Sequence, residues 1–225
     1  MALIHHASLV PSKLELVAGW ITAQPFWPEG ADPGSLERAA AFRFDDPAGK
    51  VGIETLLVRC STAGDVSLLQ IPLTYREAPL DGGEPAFIGT LQHSVLGTRW
   101  VYDATGDPVY LAELVRTVVT GDREVELYYE ENGVRTARAG DAHARGSGHP
   151  EARVPATPAS AAAVSATTDV TATVVDAGDV QVRVVRNLAA SGDAEPDDGD
   201  GILTGEWEGV TGALLAVVHS RRAVA

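Results

Sequence analysis

The sequence predicts an α+β fold: an antiparallel β-meander packed with a few helices and followed by a β-rich C-terminal segment. Three observations predict it. From Arg38 to Asp103, runs with apolar residues at every second position succeed one another across short turns, as antiparallel strands do. Two helix starts, at Ser12 and Asp107, bring their own capping chemistry. Alternating valine-rich runs return after residue 166.

Leu3 to Val10, around His5 and His6, reads as a first strand. Pro11 then precedes a helix with Ser12 as cap and Glu15 at the capping-box spacing, which satisfies two exposed amides at once. Leu14, Val17 and Ile21 share one face of that helix, which should lie on a sheet. The prolines at 25, 28 and 33 make the next stretch a loop, with Phe26 and Trp27 as a lid over the core or an exposed ligand platform. Arg38 to Phe44, Lys50 to Cys60 and Asp65 to Tyr75 are successive strands, and Pro72 places its strand at an edge or a bulge. Glu54 interrupts one apolar face and marks a side that meets solvent or a partner. Ala86 to Gln92 and Thr98 to Asp103 complete the meander around Gly97.

The second helix starts with Asp107 as N-cap and Pro108 at its first position, keeps one apolar stripe through Val119, and stops at Gly121. Glu124 to Glu130 is a further strand. From Gly133 to Ala166 there is almost no large apolar residue, so the segment is expected to be a flexible linker or long loop. Asp169 to Val175 and Asp179 to Arg186 read as a hairpin, and Ile202 to Trp207 and Ala213 to Val218 as two more strands. The expected organisation is therefore an α+β domain over 1–132, a linker over 133–166 and a β-rich segment over 167–220.

Seventeen basic against thirty-one acidic residues give a net charge of −14, which argues against nucleic-acid or anionic-membrane partners. Cys60 stands alone inside an apolar run, so no disulfide framework or cysteine metal site is expected. No apolar run approaches the roughly 20 residues of a membrane span, and no leader pattern opens the chain, so the expected location is the cytoplasm. No metal or cofactor is expected either: His143 and His149 lack suitably spaced partners, and the acidic run around Asp193, Glu195, Asp197, Asp198 and Asp200 lacks the spacing of a calcium loop. Neither a nucleophile elbow nor a phosphate-binding glycine loop occurs. One cluster has the chemistry of a ligand surface. Tyr75, Arg76, His93, Arg99, Trp100, Tyr102 and Asp103 combine flat rings, which cover sugar C–H faces, with charged groups that take hydroxyls. Trp100 and Tyr102 share a strand face, so a core role is the simpler alternative.

The run PLTYREAPLDGGEPAFIGTLQHSVLGTRWVYDATGDPVYLAEL, Pro72 to Leu114, resembles the N-terminal cap of actinobacterial maltokinases, and IHHASLVPSKLELVAGW and FRFDDPAGKVGIETLLV fit the same pattern, so the likeness spans about residues 3 to 121. It implies a cystatin-like or monellin-like cap, and a setting in trehalose, maltose 1-phosphate and glycogen metabolism. A maltokinase or trehalose-synthase-like protein is the implied partner, and a sugar or glucan the implied ligand. VQVRVVRNLAASGDAEP is similar in outline to a strand of the kinase N-lobe, with Arg183 at the place of the phosphate-pairing lysine, a substitution that changes the geometry of nucleotide contact. No catalytic-loop Asp and Asn or metal-binding Asp follows before Ala225. The resemblance thus implies a noncatalytic module, with a split or degenerate sugar kinase, or a glucan-binding protein using Trp27, Trp100 and Tyr102, as alternatives.

Overall fold

The computed structural model describes residues 2–3, 7–62, 64–131, 134–189 and 196–221. His5, His6, Asp193 and Glu195 lie outside the described residues. In chain order the elements are β1 (Ala2–Leu3), β2 (Leu9–Val10), α1 (Lys13–Ile21), β3 (Glu37–Asp45), β4 (Gly52–Ser61), β5 (Val66–Arg76), β6 (Phe87–His93), β7 (Gly97–Asp103), α2 (Pro108–Thr120), β8 (Leu127–Glu131), β9 (Val134–Arg138), β10 (Ala142–Gly146), β11 (Ser165–Thr168), β12 (Ala172–Ala177), β13 (Val180–Val185), β14 (Gly201–Trp207) and β15 (Val210–Ser220). The α+β class holds, with strand far in excess of helix.

The strands form two six-stranded antiparallel sheets, ordered β2-β6-β7-β5-β4-β3 and β10-β14-β15-β13-β12-β11, and a three-stranded sheet β1-β8-β9 in which β1 runs parallel to β8. Both helices start where their caps dictate. Ser12 Oγ accepts from the Glu15 amide at 3.3 Å while Glu15 Oε2 accepts from the Ser12 amide at 2.8 Å. Asp107 Oδ1 accepts from the Val109 amide at 2.9 Å, and Gly121, at φ 68°, closes the helix in the left-handed region.

Each face of the first sheet buries a different core. On one side Val17 and Ile21 of α1 meet Leu56, Val58, Leu69, Ile71 and Val101, with Phe26 closing over them as a lid and Trp27 packed beside it. Cys60 lies in this core as a free thiol. On the other side Phe42, Ile53 and Leu57 meet Leu111, Leu114 and Val118 of α2, and behind them Val182, Val184 and Leu215 of the second sheet. Each buried aliphatic side chain here contributes about 1.5–3 kcal/mol relative to exposure.

Three expectations change. β5 is an interior strand, flanked by β4 and β7, although it contains Pro72. The Gln70 amide points away from β4 to the Arg186 carbonyl at 2.8 Å, so by period two the Pro72 nitrogen faces the same side, and the β7 ladder begins only at Leu73. The missing donor falls in a gap and costs no hydrogen bond. Of the strand expected over Leu3 to Val10, the described residues at its two ends belong to different sheets, Leu3 to β1 and Leu9–Val10 to β2. The segment 133–166, expected to be linker, holds β9, β10 and β11, and β10 pairs with β14 from Ala142↔Trp207 to Gly146↔Leu203. Its small residues serve close packing: Ala142 and Ala144 are buried, and a Cβ on Gly146 would overlap the Thr117 carbonyl of α2. Gly148 is as tight, because its amide donates to Val118 O at 2.9 Å and a Cβ there would overlap the Val119 carbonyl.

Gly148→Ala is expected to destabilise the fold by about 1–3 kcal/mol through overpacking. Gly19→Ala, inside α1 with nothing within 4 Å of the new Cβ, is expected to stabilise it by about 0.5–1 kcal/mol. Urea midpoints of the two variants, which should move in opposite directions, check this.

Candidate functional site

A groove of about 750 Å³ opens on the α1 side of the first sheet and continues round the β3–β4 turn to β8 and β9. Its floor is built by strand register. Arg43 and Glu54 are cross-strand partners in β3 and β4, and Gly52 faces Tyr75 across β4 and β5. A Cβ on Gly52 would come within 3.3 Å of Arg43 Nη2 and 3.5 Å of Tyr75 Cβ, so glycine keeps this floor open.

Glu54 is its electrostatic centre. Its Oε2 accepts from Lys13 Nζ at 2.5 Å and from Tyr75 Oη at 2.9 Å, and Arg43 Nη1 lies 3.9 Å from its Oε1. Lys13, in the first turn of α1, opposes the helix dipole, and the carboxylate offsets that cost. Burial by itself would raise the Glu54 carboxyl, but the Lys13 and Arg43 charges and the hydrogen bonds from Lys13 and Tyr75 outweigh it and hold the group down at about 2. The Tyr75 hydroxyl is pushed well above the ordinary tyrosine range, first by burial and then by the Glu54 charge, so it stays a donor.

Around this floor stand His93 and Arg99. His93 Nδ1 accepts from the amides of Val95 at 3.2 Å and Leu96 at 3.1 Å, which assigns the neutral ring's proton to Nε2. Arg99 donates through Nη2 to Leu96 O at 2.7 Å, while its Nε is buried with no hydrogen-bond partner. Lys50, Arg138 and Tyr128 complete the part of the wall contributed by the β3–β4 turn, β9 and β8.

The seven clustered residues are therefore divided between the two faces of the first sheet. Tyr75, His93 and Arg99 line the groove. Arg76 instead forms a two-pronged pair with the buried cap Asp107, at 2.7 Å for both bonds, which Thr74 Oγ1 joins at 2.8 Å. Trp100 is the cross-strand partner of Arg76 and is half-buried. Tyr102 is 3 % exposed, stacks obliquely on Phe87 with ring centroids 5.3 Å apart, and accepts from the Leu80 amide at 2.8 Å. Asp103 faces inward: Oδ1 accepts from Thr105 Oγ1 at 2.8 Å and Oδ2 from Arg186 Nη2 at 2.5 Å. Arg183 lies far along the chain in β13, opposite Val174 and Val217, with a buried Nε that makes no hydrogen bond.

The sequence left Lys13, Arg43, Lys50 and Arg138 unremarked as site residues. Charged residues inside apolar runs, Arg43 and Glu54, were the available signal; Lys50 and Arg138 reach the groove only through tertiary packing. In the acidic loop, Asp200 Oδ1 pairs with His219 Nδ1 at 2.6 Å, and Asp197 lies close enough for the three to form a ligand-like group on the surface.

The sheet that carries the groove is also where the chain matches a known family. Residues 20–107 match the family model of the maltokinase N-terminal cap domain. This part of the chain is similar to a maltokinase N-terminal cap domain. The match runs from Trp20 near the end of α1, through β3 to β7, to the N-cap of α2, so the matched segment includes the groove floor at Glu54 and Tyr75. No curated protein matches the chain.

The depressed Glu54 carboxyl makes the cap sensitive to acid. Its folded-state value lies below the ordinary 4.5, so its stabilisation is present above that value and is lost as pH falls towards about 2. Thermal melts of Glu54→Gln are expected to show a loss of about 3 kcal/mol at pH 7, from the uncompensated Lys13 and Arg43, and a flatter pH dependence than the parent between about pH 4.5 and 2.

Proposed function

We propose that this chain is a noncatalytic cap-like module of maltokinase-related carbohydrate metabolism that acts by binding a protein partner or a ligand. The observation that carries this reading is the coincidence of the cap match over 20–107 with a sheet whose buried carboxylates, Glu54, Asp103 and Asp107, are spent on joining its own elements. Glu54 of β4 ties together α1, β3 and β5 through Lys13, Arg43 and Tyr75, Asp107 ties α2 to Arg76, and Asp103 ties β7 to Arg186. Groups held this way position surfaces rather than exchange protons with a substrate.

On this reading the first sheet with α1 across it is a cystatin- or monellin-like cap, the partner is a maltokinase or a trehalose-synthase-like protein, and the setting is cytoplasmic trehalose and glycogen metabolism in an actinobacterium. A sugar or glucan would contact Tyr75, His93 and Arg99 in the groove. A degenerate or split kinase is the second reading. It is favoured by the unpartnered, buried Nε of Arg183 at the position that resembles the phosphate-pairing lysine.

Two measurements separate them. Purified chain with Mg-ATP and maltose is expected to form no maltose phosphate, and sedimentation velocity with an added maltokinase is expected to show a mixed complex. Turnover of maltose, or thermal stabilisation by Mg-ATP that Arg183→Ala removes, would overturn the noncatalytic reading.

A further inference from the structure

The geometry points to the groove beside Glu54 as a binding site for a small phosphate ester. This rests on the reading of the chain as a ligand-binding cap and names the chemistry of the ligand. Most of a chain with a net charge of −14 repels anions. Yet five of its 17 basic side chains, Lys13, Arg43, Lys50, Arg99 and Arg138, line this one groove.

These five divide by what they already hold. Lys13 and Arg43 are engaged by Glu54. The remaining three come from separate segments and have charge to spare. The Lys50 ammonium, on the β3–β4 turn, makes no hydrogen bond or ion pair among the described residues. The Arg138 guanidinium, on β9, rests over the Tyr129 ring at 5.7 Å and has no acidic partner among the described residues. Arg99 uses one nitrogen on Leu96 O, and its buried Nε lacks an acceptor. Four carboxylates also line the groove: Glu54 is held by its cations, Asp46 by the amides of Ala48, Lys50 and Val51, each at 2.9 Å, and with Asp45 and Glu77 they leave the lining one positive charge in excess.

Guanidinium and ammonium groups that the fold leaves without an acidic partner form charge-assisted hydrogen bonds with ligand oxygens. Donors on three separate segments suit a tetrahedral dianion, whose oxygens point in different directions, better than a flat carboxylate. About 750 Å³ is the size of a small-molecule site and too small for a folded partner. The rings of Tyr75 and Tyr128 give the organic part of the ester an apolar wall.

Isothermal titration of the full chain with glucose 1-phosphate tests the site. Saturable binding is expected, competed by inorganic phosphate and weakened by added salt, with no comparable binding of glucose or citrate. Lys50→Ala and Arg138→Ala, both at exposed positions, are expected to keep the melting temperature and lower the affinity about tenfold each. Absence of saturation at millimolar ester, equal binding of glucose or citrate, or unchanged affinity in both variants would overturn the site. A chain that joins a maltokinase complex yet binds no ester loses this site and keeps its role as a cap.

Discussion

Arg186 is 0 % exposed and forms one of the polar links that join the two large sheets. A guanidinium so buried is tolerable only if its charge is met, since taking a charge out of water costs several kcal/mol; here Nη1 has no hydrogen-bond partner and the other two nitrogens carry the contacts. Asp103, at the end of β7, meets the charge at 2.5 Å, Thr173 of β12 takes Nε at 2.8 Å, and the Phe26 ring lies 5.0 Å below the guanidinium. The backbone beside it continues the connection. The Gln70 amide donates to the Arg186 carbonyl and Leu188 N to Leu68 O, each at 2.8 Å, so the segment after β13 lies along β5 where the β7 ladder has ended. Gln70 Nε2 adds bonds to Val185 O at 2.6 Å and Leu215 O at 2.9 Å. The C-terminal strands thereby form the back wall of the core on the α2 side of the first sheet.

This arrangement separates a rigid interior from a usable surface. The carboxylates between the sheets are held by cations and hydroxyls of the fold, and α2 is clamped between Asp107 at its start and the close approach of Gly146 and Gly148 at its end. The α1 side has a different character. There Glu54, Lys13, Arg43 and Tyr75 form a network that is buried at its base and open above to solvent, beside cations with unused donors. A fixed floor with adjustable charged rims is what a binding module needs, because the ordered base is prepared before the ligand arrives.

Much of the architecture was legible because local chemistry and tertiary context agreed. Ser12 with Glu15, and Asp107 with Pro108 and Gly121, set both helices, and period-two patterns located β3 to β7 and β12 to β15. Legibility failed where composition had two meanings. Ala142, Ala144, Gly146 and Gly148 look like linker because small residues bury little apolar surface, yet they are small because α2 lies against them. The ligand cluster was half legible for a similar reason. Nearness in sequence placed Arg76 and Trp100 beside Tyr75 and Arg99, but alternation along β5 and β7 sends neighbours to opposite faces, while Asp103 at the end of β7 turns to Arg186, and the partners that decide these roles, Asp107 and Arg186, are set by the fold. No local pattern announces Arg138 or Lys50 as part of the groove, since each arrives from a different hairpin.

That one buried guanidinium unites the cap with the C-terminal sheet is tested most directly by native-state hydrogen exchange. Amides of Val101 in β7 and of Val182 and Val184 in β13 should exchange with the same opening free energy, and Arg186→Ala should lower that value for all three together. Exchange of the β13 amides at a much lower free energy in the parent protein, or an Arg186→Ala effect confined to β13, would contradict a single cooperative unit.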